Sequence, residues 1–373
     1  MMKVKLKDVA SFSKGQQING DDLLPSANYA YLNGGISPSG YWNEYNIPAN
    51  SIAISEGGNS CGYVNYMQSP FWCGAHCYYL FDLKISNTKY LYYALKARQD
   101  DIMKLRSGAC MPNIKKSDLG EFAFEFDFDD DHQTIVVDQL ERVERMIALR
   151  KQQLSKLDEL VKSRFIEMFG DPNSNPMHWN KVELAECLIN IENGKSFVCD
   201  SEPRIGEKPA VLKLSAATYG YYQPHENKAM LDDTLFVESA EVHIGDLLFT
   251  RKNTPELVGM CAYVYDTPSK LMMPDLIFRL NTRENCDKVF LWKIINLDLF
   301  RSNITALSSG SAKSMSNISK ERLLGLEIIL PPIALQQQFA AFVEQIDKSK
   351  FEIQKSLEKL ETLKKALMQK YFG

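Results

Sequence analysis

Along two stretches of the chain the apolar positions step alternately by four and three residues. The first series runs Val136, Leu140, Val143, Ile147, Arg150, Leu154, Leu157 and Val161, with Phe165 and Met168 one turn further on. The second, Phe339, Val343, Ile346, Lys350, Ile353, Leu357, Leu360, Lys364, Leu367 and Tyr371, keeps the same register. A 3.5-residue period held over several heptads predicts a coiled-coil seam. Neither series meets a Pro or Gly before Gly170 and Gly373, which stand where helices stop. Each rod is expected to run about 35–38 residues, roughly 50–57 Å. One amphipathic rod alone exposes its stripe, so each is the natural partner of the other.

The two rods are one pattern written twice. Phe169-Gly170 and Phe372-Gly373 lie 203 positions apart, and the same offset pairs Gln133 with Gln336, Leu140 with Val343, Leu154 with Leu357 and Leu157 with Leu360. A repeat of this length sets the architecture. A globular stretch begins at Asp171 and can return the chain to the far end of rod one, which favours antiparallel rods over residues 136–168 and 339–371. The expected fold class is α+β: two tandem, similar α/β domains joined by two long helices in an antiparallel coiled coil, with pseudo-two-fold symmetry.

The stretches before the rods also match. Leu6-Lys7-Asp8-Val9-Ala10 is followed by Lys14-Gly15, and Val182-Glu183-Leu184-Ala185-Glu186 by Gly194-Lys195. Residues 47–58 and 242–252 are apolar runs closed by Gly, Asn or Asp and predict strands. Ser107-Gly108 with Asn113-Ile114 returns as Ser309-Gly310 with Asn317-Ile318, each pair followed by a helix-start signal. A last strand, 122–128 or 326–330, leads into each rod. The middles differ: residues 34–42 and 70–77 have no likeness in 218–222 and 251–255. A shared frame with divergent loops fits two related modules of different specificity.

A chain of 373 residues suits two cores rather than one. Its 45% hydrophobic and 24% charged content is that of an ordinary soluble protein. A net charge of −4 does not announce a nucleic-acid binder, although local patches and partners decide that question. The start, Met1-Met2-Lys3, runs into polar sequence without a signal-peptide core, and no apolar run has membrane length. The 8 scattered cysteines form no disulfide framework, which favours reduced thiols in the cytoplasm.

Catalytic signatures are missing. No P-loop appears, and Asn175-Pro176-Met177-His178 is not the Asn-Pro-Pro-aromatic element of an adenine N6-methyltransferase. No Ser-His-Asp set, nucleophile elbow or His-Glu-x-x-His is present. Cys73, His76 and Cys77 have zinc chemistry but lack a second ligand pair, so no metal site is expected. What remains is DNA reading. Arg251, Lys252 and Asn253 follow a strand; Arg and Lys read guanine O6/N7 and Asn reads adenine, the plainer alternative being a solvated turn. Ser311 and Lys313 lie in a small, basic stretch suited to phosphates. Asn113, Lys115, Lys116 and Asn317 recur at matching places. Tyr41, Trp42, Tyr219 and Tyr221 suit thymine methyls or sugars, although such aromatics also serve cores. Ser37, Ser39, Ser55, Asn59, Arg106 and Lys195 complete the candidate set.

At these residues the chain resembles the specificity subunit of type I restriction–modification enzymes. The resemblance rests on Met168-Phe169-Gly170-Asp171-Pro172 with Asn175-Pro176 and Trp179, on Gly245-Asp246-Leu247-Leu248-Phe249-Thr250-Arg251, and on Ile329-Leu330-Pro331-Pro332 with Gln336-Gln337. It implies target-recognition domains at 1–128 and 171–332, and a central conserved helix at 129–170 and a C-terminal one at 333–373. It implies a non-catalytic chain that reads double-stranded DNA in the cytoplasm and docks two methylation subunits, with restriction subunits joining through them. The chain itself would need no cofactor; S-adenosylmethionine, ATP and Mg2+ would belong to the partners, and no membrane is involved. The target would be split and asymmetric, with half-sites about 10 bp apart and an unread spacer of roughly 5–8 bp. One departure stands out. Pro331-Pro332 has no counterpart before rod one, where the chain reads Phe126-Asp127-Phe128-Asp129-Asp130-Asp131-His132-Gln133, so that junction is expected to be built differently or to bind its partner more weakly. The rival reading is a coiled-coil protein-interaction adaptor without DNA specificity, which the acidic total charge would suit.

Overall fold

Both apolar series lie on single helices of 40 residues, Asp130–Phe169 and Ile333–Phe372, in the computed structural model, which describes residues 1–108, 112–308 and 315–373. Every position of both series is buried or half-buried. Ile135, Leu149, Leu160 and Leu363, which fall off the series, are exposed. The 3.5-residue period therefore marks the packed stripe rather than apolar content as such. The first helix starts earlier than its apolar series because Asp129 caps it: Asp129 Oδ1 accepts from the Asp131 and His132 N–H groups, both at 3.1 Å.

The chain divides into two units, residues 1–152 with 354–373, and residues 153–353. In the first, a four-stranded antiparallel sheet runs in the order Ser11–Lys14, Cys77–Phe81, Ser51–Ser55, Val64–Met67. A smaller sheet holds Gly40–Trp42, Tyr29–Leu32 and Phe71–Cys73, the last two parallel. Met2–Lys5 pairs with Ala123–Phe126. The helix Thr88–Ala97, capped by Asn87, shares the main core with Ile52, Ile54 and Leu80. That core also takes in Val136, Leu140, Tyr371 and Phe372 from the long helices. Here Tyr371 donates to Gln139 Oε1 at 2.9 Å, Lys364 meets Glu144 at 2.7 Å and Lys151 meets Glu361 at 3.2 Å. Numbers rising on one helix as they fall on the other make the segments antiparallel.

The second unit repeats this plan. Its four-stranded sheet runs Leu188–Asn193, Ile277–Thr282, Leu247–Thr250, Cys261–Tyr263, and its smaller sheet Asn227–Ala229, Ala210–Leu212, Leu271–Met272. Lys181–Glu183 pairs with Glu327–Ile329. The helix Lys288–Ile295, capped by Asp287, brings Phe290 to Phe165 and Phe169, with ring centroids 5.7 and 5.0 Å apart, and Phe165 lies 5.5 Å from Phe339 on the other long helix. Lys350 reaches Asp158 at 2.6 Å, so the helical segments are antiparallel here too.

The acidic junction of the first half, expected to differ, shares one bond with that of the second and is otherwise bonded differently. The buried Gln133 donates from Nε2 to the Asp127 carbonyl at 2.6 Å, and the buried Gln336 does so to the Pro331 carbonyl at 2.7 Å. The Asp129 backbone N–H, and next His132, hold the Asp127 carboxyl below its ordinary value.

Candidate nucleic-acid interface

The two larger sheets share a register. Lys14 and Ile54 flank Tyr78 in the first unit; Asn193 and Phe249 flank Phe278 in the second. Tyr78 and Phe278 are thus the same lattice point. Beyond the third strand, the Glu56 N–H donates to the His76 carbonyl at 2.8 Å and the Arg251 N–H to the Leu276 carbonyl at 3.0 Å. Ile114 N–H then donates to the Glu56 carbonyl and Ile318 N–H to the Arg251 carbonyl, at 2.9 and 2.8 Å. Glu56 and Arg251 therefore hold one backbone position. The recurring Asn-Ile pair is explained as well: Ile114 and Ile318 are buried anchors that pin the following loop to the strand end.

The repeated Lys14-Gly15 and Gly194-Lys195 phrases have a steric cause. A Cβ on Gly15 would stand 1.9 Å from the Cys73 carbonyl oxygen, and one on Gly194 2.0 Å from that of Pro274. Only glycine lets the strand end run this close to the smaller sheet.

In the second unit Arg251 lies half-buried, its Cζ 4.9 Å from the Phe278 ring centroid. Its Nε and Nη2 both donate to Asn317 Oδ1, at 3.3 and 3.2 Å. Two of the candidates from separate parts of the sequence are thus joined, and among the described residues the remaining guanidinium donors meet no hydrogen-bond acceptor. Lys252–Asn253 pairs with Ser316–Asn317 as a short antiparallel ladder. That pairing corrects the expectation for Asn253. It is buried, with Nδ2 on Thr218 Oγ1 at 3.1 Å and Oδ1 accepting from the Thr254 N–H at 2.8 Å, so its amide is spent inside the fold. Lys252 is half-buried, while Lys195, Tyr219 and Tyr221 are exposed. Ser311 and Lys313 lie outside the described residues. Asp246 of the Gly-Asp-Leu-Leu-Phe phrase is structural: Oδ2 accepts from the His243 N–H and from Arg279 Nε, both at 2.9 Å.

In the first unit Ser55 is also corrected. It is buried, and its hydroxyl donates to the Gly35 carbonyl at 3.1 Å. Trp42 is half-buried beside the exposed Tyr41 on one strand, and Ser37 and Ser39 are exposed in the preceding loop. Asn59, Arg106, Asn113, Lys115 and Lys116 are exposed; bridges from Gly57 and from Ser107 to Asn113 draw their loops together. The sequence reading missed Glu56, Lys14 and His76. Glu56 is 8% exposed and braces two outward groups, Lys14 Nζ at 2.9 Å and His76 Nδ1 at 3.5 Å. Lys14 Nζ lies 5.8 Å from the Tyr78 ring centroid. Burial, then the Glu56 charge, pushes the Tyr78 hydroxyl up to about 12, so it keeps the proton it donates to the Ile114 carbonyl at 3.1 Å. Aligning the two strand ends on their Asn-Ile anchors would have exposed the Glu56/Arg251 exchange.

Cys73 and Cys77 are buried in the smaller core, whereas the His76 side chain faces outward. Among the described residues no group of three or more His, Cys, Asp or Glu could hold a metal ion, and no helix is long and apolar enough to cross a membrane.

Comparison with known proteins puts a family on this frame. The family model described as the type I restriction modification DNA specificity domain matches residues 1–159 and again 176–365. The type I restriction enzyme EcoEI specificity subunit of Escherichia coli is 32% identical over 214 residues, which cover 56% of this chain and 35% of that protein. A putative type I specificity subunit of Mycoplasma genitalium is 28% identical over 241 residues, or 63% of this chain and 60% of that one. The chain thus spans about a third to three-fifths of the length of these relatives. The crystal structure of a type I restriction–modification S subunit from M. genitalium shares the fold, with a TM-score of 0.68 at 21% identity over 100% of this chain and 96% of that one.

Proposed function

Because the chain belongs to the type I restriction–modification DNA specificity family, we propose that it is the subunit that chooses the DNA sequence for such a complex. In this reading each unit reads one half of a split, asymmetric duplex site. The long helices carry methylation subunits and, through them, restriction subunits. Methyl transfer, translocation and cleavage, with S-adenosylmethionine, ATP and Mg2+, fall to those partners. The complex would work in the cytoplasm, where its DNA lies.

The observation that carries the reading is the doubled frame with unlike side chains at equivalent places. The same strand end bears Glu56 in one unit and Arg251 in the other. A palindrome reader has no use for such a difference, whereas a reader of two unlike half-sites requires it. The test is methylome sequencing of cells carrying the chain with its methylation subunits. The expected result is one bipartite motif with unlike halves and an unread spacer of roughly 5–8 bp. Arg251→Ala should weaken binding by about 1–3 kcal/mol and relax one base position if it reads a base, or weaken all sequences alike if it meets phosphate. A continuous or palindromic motif would overturn the reading.

A further inference from the structure

Each unit brings a carboxamide- or carboxylate-held cation to the same aromatic lattice point, but draws it from a different strand; Lys320, 5.8 Å from Phe278 in the second unit, donates to the Ile191 carbonyl instead. In the second unit the cation is Arg251, from the end of the third strand in the sheet, 4.9 Å from Phe278 and held by Asn317 Oδ1. In the first unit that backbone position carries Glu56, whose charge is opposite. The cation there is Lys14, from the first strand in the sheet order, 5.8 Å from Tyr78 and held by Glu56 Oε1 at 2.9 Å. The place of Lys14 is taken in the second unit by the uncharged Asn193. Two changes in sequence thus compensate in space: an acid replaces the arginine and recruits a lysine in its stead.

We infer that Lys14 is the base-reading cation of the first unit and Glu56 its positioning residue. The inference rests on the DNA-reading function proposed above and deepens it. Glu56 is nearly buried, fixed through its own N–H and carbonyl, and meets His76 through Oε2 while Oε1 takes Lys14. It is a fixed support rather than a mobile contact. Lys14 is outward-facing, with its side chain 46% exposed. An ammonium has three donors; among the described residues Glu56 takes one, and two remain for a ligand with paired acceptors. In the DNA major groove that pattern is the O6/N7 edge of guanine. A free lysine on a flexible stem meets phosphates without preference, whereas one braced by a buried carboxylate is held to a direction.

The full chain, assembled with its methylation subunits, is offered randomised duplexes, and the bound pool is sequenced. The native protein is expected to select a two-part motif. Lys14→Ala should relax one guanine-bearing position about 5- to 100-fold in one half-site and leave the other half-site intact. Arg251→Ala should relax only the opposite half-site. Glu56→Gln should relax the same position as Lys14→Ala, and Glu56→Asp should restore part of the preference. A merely structural Glu56 would lower the melting temperature and weaken both half-sites together. Should Glu56→Gln fail to fold, the exposed Lys14→Ala and Lys14→Met still decide the matter. If Lys14 variants keep the full motif while Arg251→Ala relaxes its half, the inference is overturned and the function stands. If the native complex selects no motif, the proposed function itself fails, and the inference with it.

Discussion

At one point of the sheet lattice the first unit carries Tyr79 and the second Arg279. Tyr79 lies across from Ser13 and Ala53, half-buried, its ring 5.5 Å from that of Phe81. Arg279 lies across from Glu192 and Leu248 and is buried. Its guanidinium meets Asp246 at 2.9 Å, Glu192 at 2.8 Å and the Glu241 carbonyl. The backbone frame is indifferent to whether this place is aromatic or ionic. Its strand order and register come from the alternation of apolar positions, which both halves share. What differs is the penalty for error. A buried ion network stabilises little relative to an apolar replacement of all its members, but loses much when one member alone is removed.

The contrast can be broken at three places. Arg279→Met should cost about 3–5 kcal/mol, because it takes the counter-charge from the buried Asp246 and leaves it the His243 N–H; the half-exposed Glu192 keeps Asn281 and adds less. Tyr79→Phe should cost less than about 1 kcal/mol, since its surroundings remain apolar. Calorimetry of the full chain reads both; a neutral Arg279→Met would mean that the network is dispensable. The second place is the helix junction. Gln336 binds the Pro331 carbonyl at 2.7 Å, the Asn285 carbonyl at 3.1 Å and the Asp287 N–H at 2.9 Å. Gln133 Oε1 has no partner among the described residues. Gln336→Met should therefore cost about 2–3 kcal/mol and Gln133→Met about 1 kcal/mol or less. Equal losses would show the two junctions to be energetically alike despite their bonding. Smallest are the half-buried ion pairs between the helices, each still open to solvent. Lys350→Ala and Lys364→Ala should each change stability by less than about 1 kcal/mol, with the native protein almost unmoved by 1 M salt in a denaturant titration. A larger loss would shift credit for helix pairing from the apolar stripe to its charges.

The rods were legible because their signal is local. A stripe with a 3.5-residue period needs no knowledge of its partner, and all of its positions proved shielded. The strands around Ile54 and Phe249 were legible for a similar reason, being apolar runs with turn residues at their ends. The reading surface was only partly legible. Asn253 looked like a loop-borne base reader, but a two-residue ladder with Ser316–Asn317 and a hydrogen bond to Thr218 turn it inward. Ser55 was withdrawn in the same way by Gly35. Glu56 gained its place from Lys14, 42 residues away. Side-chain direction at a strand end depends on such distant partners, and no local pattern encodes them.

The first unit is built from two separated stretches, 1–152 and 354–373, whereas the second is the unbroken stretch 153–353. The order of synthesis thereby becomes an order of folding. Everything needed for the second core leaves the ribosome in one piece. The first core waits for Tyr371 and Phe372, whose ring sits 5.1 Å from that of Tyr90. At about 5–20 residues per second, some 200 residues of delay amount to roughly 10–40 s. Throughout that interval Tyr90 lacks the Phe372 ring that packs against it in the finished fold.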